Sequence, residues 1–199
     1  MTDEEKILSY TTTEFLTNGF YKTSMDQLAK GMKISKKTIY KFFPSKSVLL
    51  DKVVTTFQNK IKNQLDEIVE SEKCLVDKLK DVILYFSHFY LKINKKLLND
   101  FFLYKPELWN RVDTFRSTVI ESVWEKLIIE GKEDGIIINA SNKIIIGIIL
   151  SAIKGVINPK FLTENNISLK EGFEETFTIL IHGILTEKGK KEFENKNGL

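Results

Sequence analysis

The sequence predicts an all-α protein, with a small three-helix N-terminal domain at residues 1–46 and a larger helical domain at 47–199. Apolar residues recur at three- and four-residue spacing along most of the 199 residues, and strand-like alternation is rare. Only three prolines interrupt the pattern. A hydrophobic fraction of 42% is ample for a buried core.

Thr2 starts the first helix with a capping box to Glu5, and Ile7, Thr11 and Phe15 beside Leu8, Thr12 and Leu16 give it one semi-apolar face. Asn18-Gly19 ends it, and Phe20 fills the corner behind. Thr23 or Ser24 then caps a short helix, with Asp26 or Gln27 completing the box and Met25, Leu28 and Ala29 on one face. Gly31 loosens its end, and Met32 and Lys33 make a tight turn before Ile34. Ser35 caps the next helix, Lys36 to Phe42, which Pro44 stops. Ile34, Ile39 and Phe43 anchor it inward, leaving Lys36, Lys37, Thr38, Tyr40 and Lys41 outward. An anchored short helix with a basic, hydroxyl-bearing outer face suits a major groove. Charge agrees: residues 1–50 hold eight lysines against five acids, which is the chain's whole excess of +3.

The stretch NGFYKTSMDQLAKGMKISKKTIYKFFPSKSVLL resembles the DNA-binding segment of the TetR family of bacterial transcriptional regulators. The matching positions are Gly19, Phe20, Thr23, Ser35, Thr38, Ile39, Tyr40, Phe43 and Lys46. The resemblance implies a helix-turn-helix domain followed by a helical domain that dimerises and binds an effector. Where the family usually has glycine in the turn, this chain has Lys33, so a non-glycine residue is expected to take positive φ. Lys36, Lys37 and Thr38, at the start of the reading helix, are expected at base edges. Lys41 lies on the same basic face. Tyr40 and Lys46 match family positions that meet the phosphate backbone, with Thr23 joining them.

Beyond Pro44, Ser45 caps a long helix in which Leu50, Val53, Val54, Phe57, Ile61, Leu65, Ile68 and Val69 keep helical spacing. It joins the two domains without a flexible linker. The apolar pattern resumes from Cys74 to Leu103, broken at Asn94-Lys95-Lys96 before a short Leu97–Leu103 segment. Pro106 opens a helix expected to reach Glu130. Aromatic bulk concentrates between Tyr85 and Trp124, including Phe86, Tyr90, Phe101 and Phe102. These rings serve either as core or, as the family resemblance implies, as the lining of an effector cavity, for which Tyr85, His88, Phe89, Trp109 and Arg116 are the candidates.

Asn142 to Ile157 is the most apolar stretch, too short for a bilayer, and is expected to be buried all round by protein. Gly147, Ser151 and Gly155 recur every four residues, a stripe that admits a second helix closely. After a loop at Asn158–Ser168, a last amphipathic helix offers Phe173, Phe177 and Ile181. By resemblance these two helices form half of an intersubunit four-helix bundle. The charged tail from Glu187 is expected to fray.

Catalytic signatures are missing: the sequence has no G-x-S-x-G, H-E-x-x-H, Walker-type loop or C-x-x-C. His88 and His182 lack partners at metal-ligand spacing, and Cys74 has no second cysteine to bond. No cofactor or metal is expected. The acidic start MTDEEK lacks the order of a signal peptide, and a lone cysteine suits a reducing cytoplasm. The sequence thus reads as a cytoplasmic homodimeric repressor of a palindromic double-stranded DNA operator, with a small, largely apolar effector and no membrane. The alternatives are a regulator governed by a protein partner or by no ligand, and an enzyme or carrier whose basic head is incidental.

Overall fold

The computed structural model describes residues 2–91, 93 and 95–195, with the side chains of Tyr90, Lys95, Phe102 and Pro159 left aside. Its helices are α1 (Asp3–Asn18), α2 (Met25–Met32), α3 (Lys36–Phe42), α4 (Lys46–Val69), α5 (Leu75–Tyr90), α6 (Lys95–Tyr104), α7 (Pro106–Glu133), α8 (Asn142–Val156), α9 (Pro159–Glu164), α10 (Leu169–Ile184) and α11 (Glu187–Asn195). Among the described residues extended structure is limited to an isolated antiparallel bridge between Ile137 and Leu185. The all-α fold is as expected. The chain divides into two compact units, one of residues 1–61 and 92–111, the other of residues 62–91 and 112–199.

In the first unit the capping chemistry sets the helix boundaries. Thr2 and Glu5 bond each other's backbone amides at the start of α1, and Ser24 and Gln27 do the same for α2. Ser35 accepts from the Thr38 amide at 3.0 Å to open α3. Ile7, Leu8, Thr11 and Phe15 of α1 and Met25, Leu28 and Ala29 of α2 are buried, the i, i+3, i+4 faces that the spacing requires.

Lys33 closes α2 in the left-handed region, at φ 57° and ψ 38°. Its amide donates to the Lys30 carbonyl and the Ile34 amide to the Ala29 carbonyl, so the turn is a Schellman motif with lysine where glycine costs least. The expected positive φ is therefore present.

α6, distant in sequence, belongs to this same unit. Phe101 packs on Phe20 with ring centres 5.0 Å apart, and Tyr104 stacks on Tyr21 at 3.6 Å. Asp100 accepts the Tyr21 amide at 2.8 Å. Gly19 is needed twice: its φ is +77°, and a Cβ there would stand 2.5 Å from an Asp100 carboxylate oxygen.

The second unit is arranged around α10, which packs on α5 and α8. Phe173 and Phe177 lie 4.3 Å apart, Phe173 meets Phe86 at 5.5 Å, and Phe177 meets Trp124 at 6.2 Å. Buried Lys78 on α5 donates to Glu130 on α7 at 2.8 Å, so the ammonium enters the interior with its counter-charge.

Four expectations change here. α7 runs three residues beyond Glu130. The expected loop at Asn158–Ser168 contains α9, because Asn158 caps it by accepting the Phe161 amide at 2.9 Å. The expected fraying tail is instead helical through Asn195: Phe193 is buried, with Lys80 over its ring at 5.2 Å and His182 at its edge. α8 is buried on one face only, with Ile144 and Ile148 exposed on the other. Asn94, from the expected polar break, lies outside the described residues.

Lys33→Gly is expected to raise stability by about 1 kcal/mol, since it removes the Cβ penalty of the left-handed region against a partly offsetting entropy loss. A chemical-denaturation midpoint that stays unchanged or falls would contradict this.

Candidate nucleic-acid interface and the second unit

The outer face of α3 is created by its inner one. Ile39 has no exposed surface and Phe43 is buried, which turns Lys36, Lys37, Tyr40 and Lys41 to solvent. Lys36 Nζ donates to Asp26 on α2 at 2.9 Å, and this hydrogen bond pushes the lysine above its ordinary pKa. Thr38 shares a 2.8 Å hydroxyl hydrogen bond with Ser35. Lys41 lies 5.6 Å from the centre of the Phe42 ring. Lys37 is exposed and has neither ion pair nor hydrogen bond among the described residues.

Two residues expected at the phosphate backbone are engaged within the protein. Thr23 is buried, and its Oγ1 donates to the Gly19 carbonyl at 2.7 Å. It locks the turn between α1 and α2, so its hydroxyl proton is not available to a phosphate. Lys46 is half-buried, and its Nζ donates to the Tyr21 carbonyl at 2.9 Å. Burial lowers its pKa, opposed by the nearby Asp100 carboxylate. Sequence reasoning placed both residues by family position. The local spacing carried no signal of their inward bonds, because these depend on how the α1–α2 turn folds back.

In the second unit, Tyr85 is half-buried, and burial raises its pKa. It borders an open cavity of about 330 Å³ with Gln64, Glu67, Ile68, Ser71, Lys73 and Asp81. His88 is exposed and Phe89 half-buried on the same helix. Arg116 donates to the Ile157 carbonyl at 3.0 Å and pairs with Asp113, so it caps the end of α8. Trp109 is half-buried in the first unit. Phe173, Phe177 and Trp124 pack in sequence as core, and half-buried Phe86 lies against Phe173.

Gly147, Ser151 and Gly155 share an exposed face of α8 with Ile144 and Ile148. A Cβ at either glycine would meet nothing within 4 Å. Phe173, Phe177 and Ile181, expected at a subunit contact, are instead buried within the chain. α10 directs its larger apolar side chains toward α5 and α8, and turns Ile179 outward, 72% exposed.

Thr23→Val is expected to lower stability by about 1–3 kcal/mol, since the Gly19 carbonyl loses its buried donor, while the salt dependence of DNA binding is unchanged. A phosphate contact would instead show as a salt slope reduced by about one.

Comparison with known proteins agrees with this geometry. Residues 7–53 match the model of the bacterial regulatory proteins of the tetR family. The uncharacterized HTH-type transcriptional regulator YvaF of Bacillus subtilis is 25% identical over 189 residues, spanning 93% of this chain and 97% of its own. A transcriptional regulator from Cytophaga hutchinsonii has a similar fold, at TM-score 0.68 and 21% identity, covering 92% of this chain and 98% of its own. So does the regulator FadR from Bacillus subtilis in complex with stearoyl-CoA, at TM-score 0.61 and 17% identity, covering 90% and 98%. Residues 7–53, which contain the helix-turn-helix, thus match the bacterial regulatory proteins of the tetR family, and the chain as a whole shares the fold of solved transcriptional regulators.

Proposed function

We propose that this regulator acts as a homodimeric repressor on a roughly palindromic operator and is released by a small, largely apolar effector. The observation that carries the DNA-reading part is α3, where a fully buried Ile39 presents three lysines and a tyrosine on the opposite face. A positive, anchored helix of this kind combines phosphate attraction with reach to base edges. Selection of binding sequences from a random duplex library, read against salt concentration, tests it. Lys37→Ala is expected to weaken binding to all duplexes and lower the salt slope by about one if Lys37 meets phosphate, or to cost about 1–3 kcal/mol at one operator position if it meets a base. Unchanged binding would remove α3 from the interface.

The exposed apolar face of α8, with Ile179 and Gly183 on α10, supports dimerisation through these two helices. Small residues let backbones approach, and the isoleucines around them supply apolar area. Dimerisation would also set two heads on half-sites about 34–36 Å apart, one helical turn or a multiple of it. Ile148→Glu and Ile179→Glu are each expected to yield monomer at micromolar concentration in sedimentation, with operator affinity falling in step. A wild-type monomer under those conditions would end the proposal.

The effector reading is supported by a fold shared with a regulator seen with stearoyl-CoA, and by the aromatic side chains of α5 and α7. An effector acts only through differential affinity for two states, and α4, unbroken from Lys46 to Val69, is the element proposed to carry the difference. Release of 5–150-fold corresponds to about 1–3 kcal/mol of coupling, with DNA weakening ligand equally. Thermal-shift hits from a library of hydrophobic compounds should compete with operator. Hits that stabilise the protein without releasing DNA would contradict the switch.

A further inference from the structure

Asp26 stands in the first turn of α2, and its carboxylate holds the ammonium of Lys36, the first residue of α3. The same ammonium lies 5.9 Å from the centre of the Tyr40 ring. Both side chains of the ion pair are well exposed, at 47% and 70%, so the pair adds little to the stability of the free protein. Its effect is on how the lysine meets DNA. An ammonium has three donors, and with one given to Asp26 two remain, on a stem already restrained. The neighbouring Lys37 has no such restraint. A free lysine reaches whichever phosphate is nearest, and every sequence offers phosphates. A held lysine bonds well only where an acceptor lies in its fixed path, as guanine O6 and N7 do in the major groove.

We propose that Asp26 is a specificity-determining residue: its carboxylate holds Lys36 for a base edge and, as a negative charge on the reading surface, weakens encounters made through phosphates alone. The inference rests on α3 reading DNA. Against a random duplex, Asp26 removes one cation from phosphate duty and adds repulsion. At the operator, the held lysine recovers that loss through its base contact. Discrimination improves while general affinity falls, since selectivity depends on the difference between the two affinities.

The test uses the full chain, a duplex enriched by the wild type from a random library, and a scrambled duplex of equal length, each titrated across salt. Asp26→Asn is expected to tighten the scrambled complex about fivefold, steepen its salt slope by about one, and reduce discrimination by about fivefold. Asp26→Glu should retain wild-type discrimination. In a Lys36→Ala background, Asp26→Asn should leave discrimination unchanged, because the two residues act as one unit. Equal weakening of both duplexes by Asp26→Asn would mean that the pair only fastens α2 to α3, and would overturn the proposal. So would an unchanged ratio alongside a wild type that selects an operator. A wild type that enriches no duplex would instead remove the DNA-reading assignment, and this inference with it.

Discussion

A seven-residue helix does not hold its shape in water, because nucleation is costly and too few backbone hydrogen bonds follow to offset it. α3 is ordered by what lies beneath and before it. Ile39 is wholly enclosed, Phe43 is buried at the C-terminal end, and Ser35 satisfies the Thr38 amide at the start. The outward placement of Lys36, Lys37, Tyr40 and Lys41 depends on those three inward or capping groups. The left-handed Lys33 fixes the angle at which α2 hands the chain to α3. This unit thus keeps one unfavourable backbone conformation to hold the outer face of α3, and the surrounding packing makes that tolerable.

Legibility in the sequence followed the range of the interaction. The caps at Thr2, Ser24 and Ser35 are made with residues three positions away, so their spacing announces them. The positive φ at Lys33 was legible from the absence of glycine in a turn that needs one. The inward hydrogen bonds of Thr23 and Lys46 were not legible, because their partners are backbone carbonyls, of Gly19 and Tyr21, and composition carries no record of a carbonyl. α11 was taken for a frayed end because its sequence, EKGKKEFEN, is mostly charged, yet a single buried Phe193 is enough to dock it.

The second unit shows a different limit. Amphipathic spacing says that α8 and α10 each have an apolar side, but does not say which apolar residues meet their own chain. The large aromatic residues of α10 went to the core and left Ile179 outside. α8, apolar on more than one side, filled the core with Ile145, Ile149 and Ile153 and kept Ile144 and Ile148 in surplus. Such a surplus of exposed large apolar residues on one helix face marks a surface that another protein can cover. The aromatic run was ambiguous for the same reason. Trp124 of that run packs on Phe177 as core, Phe101 packs on Phe20, and Tyr85 borders open space.

The hydrogen bond from the Tyr21 amide to Asp100 spans 79 residues of sequence. During synthesis the whole helix-turn-helix, through Lys46, is made before α6 exists. At about 5–20 residues per second, Asp100 follows Tyr21 by roughly 4–16 s. Throughout that delay the turn at Gly19, Phe20 and Tyr21 lacks the carboxylate, the phenyl ring and the phenol that close over it. A message truncated before codon 100 would encode every residue of α3 and still leave the turn at Gly19 to Tyr21 without its cover.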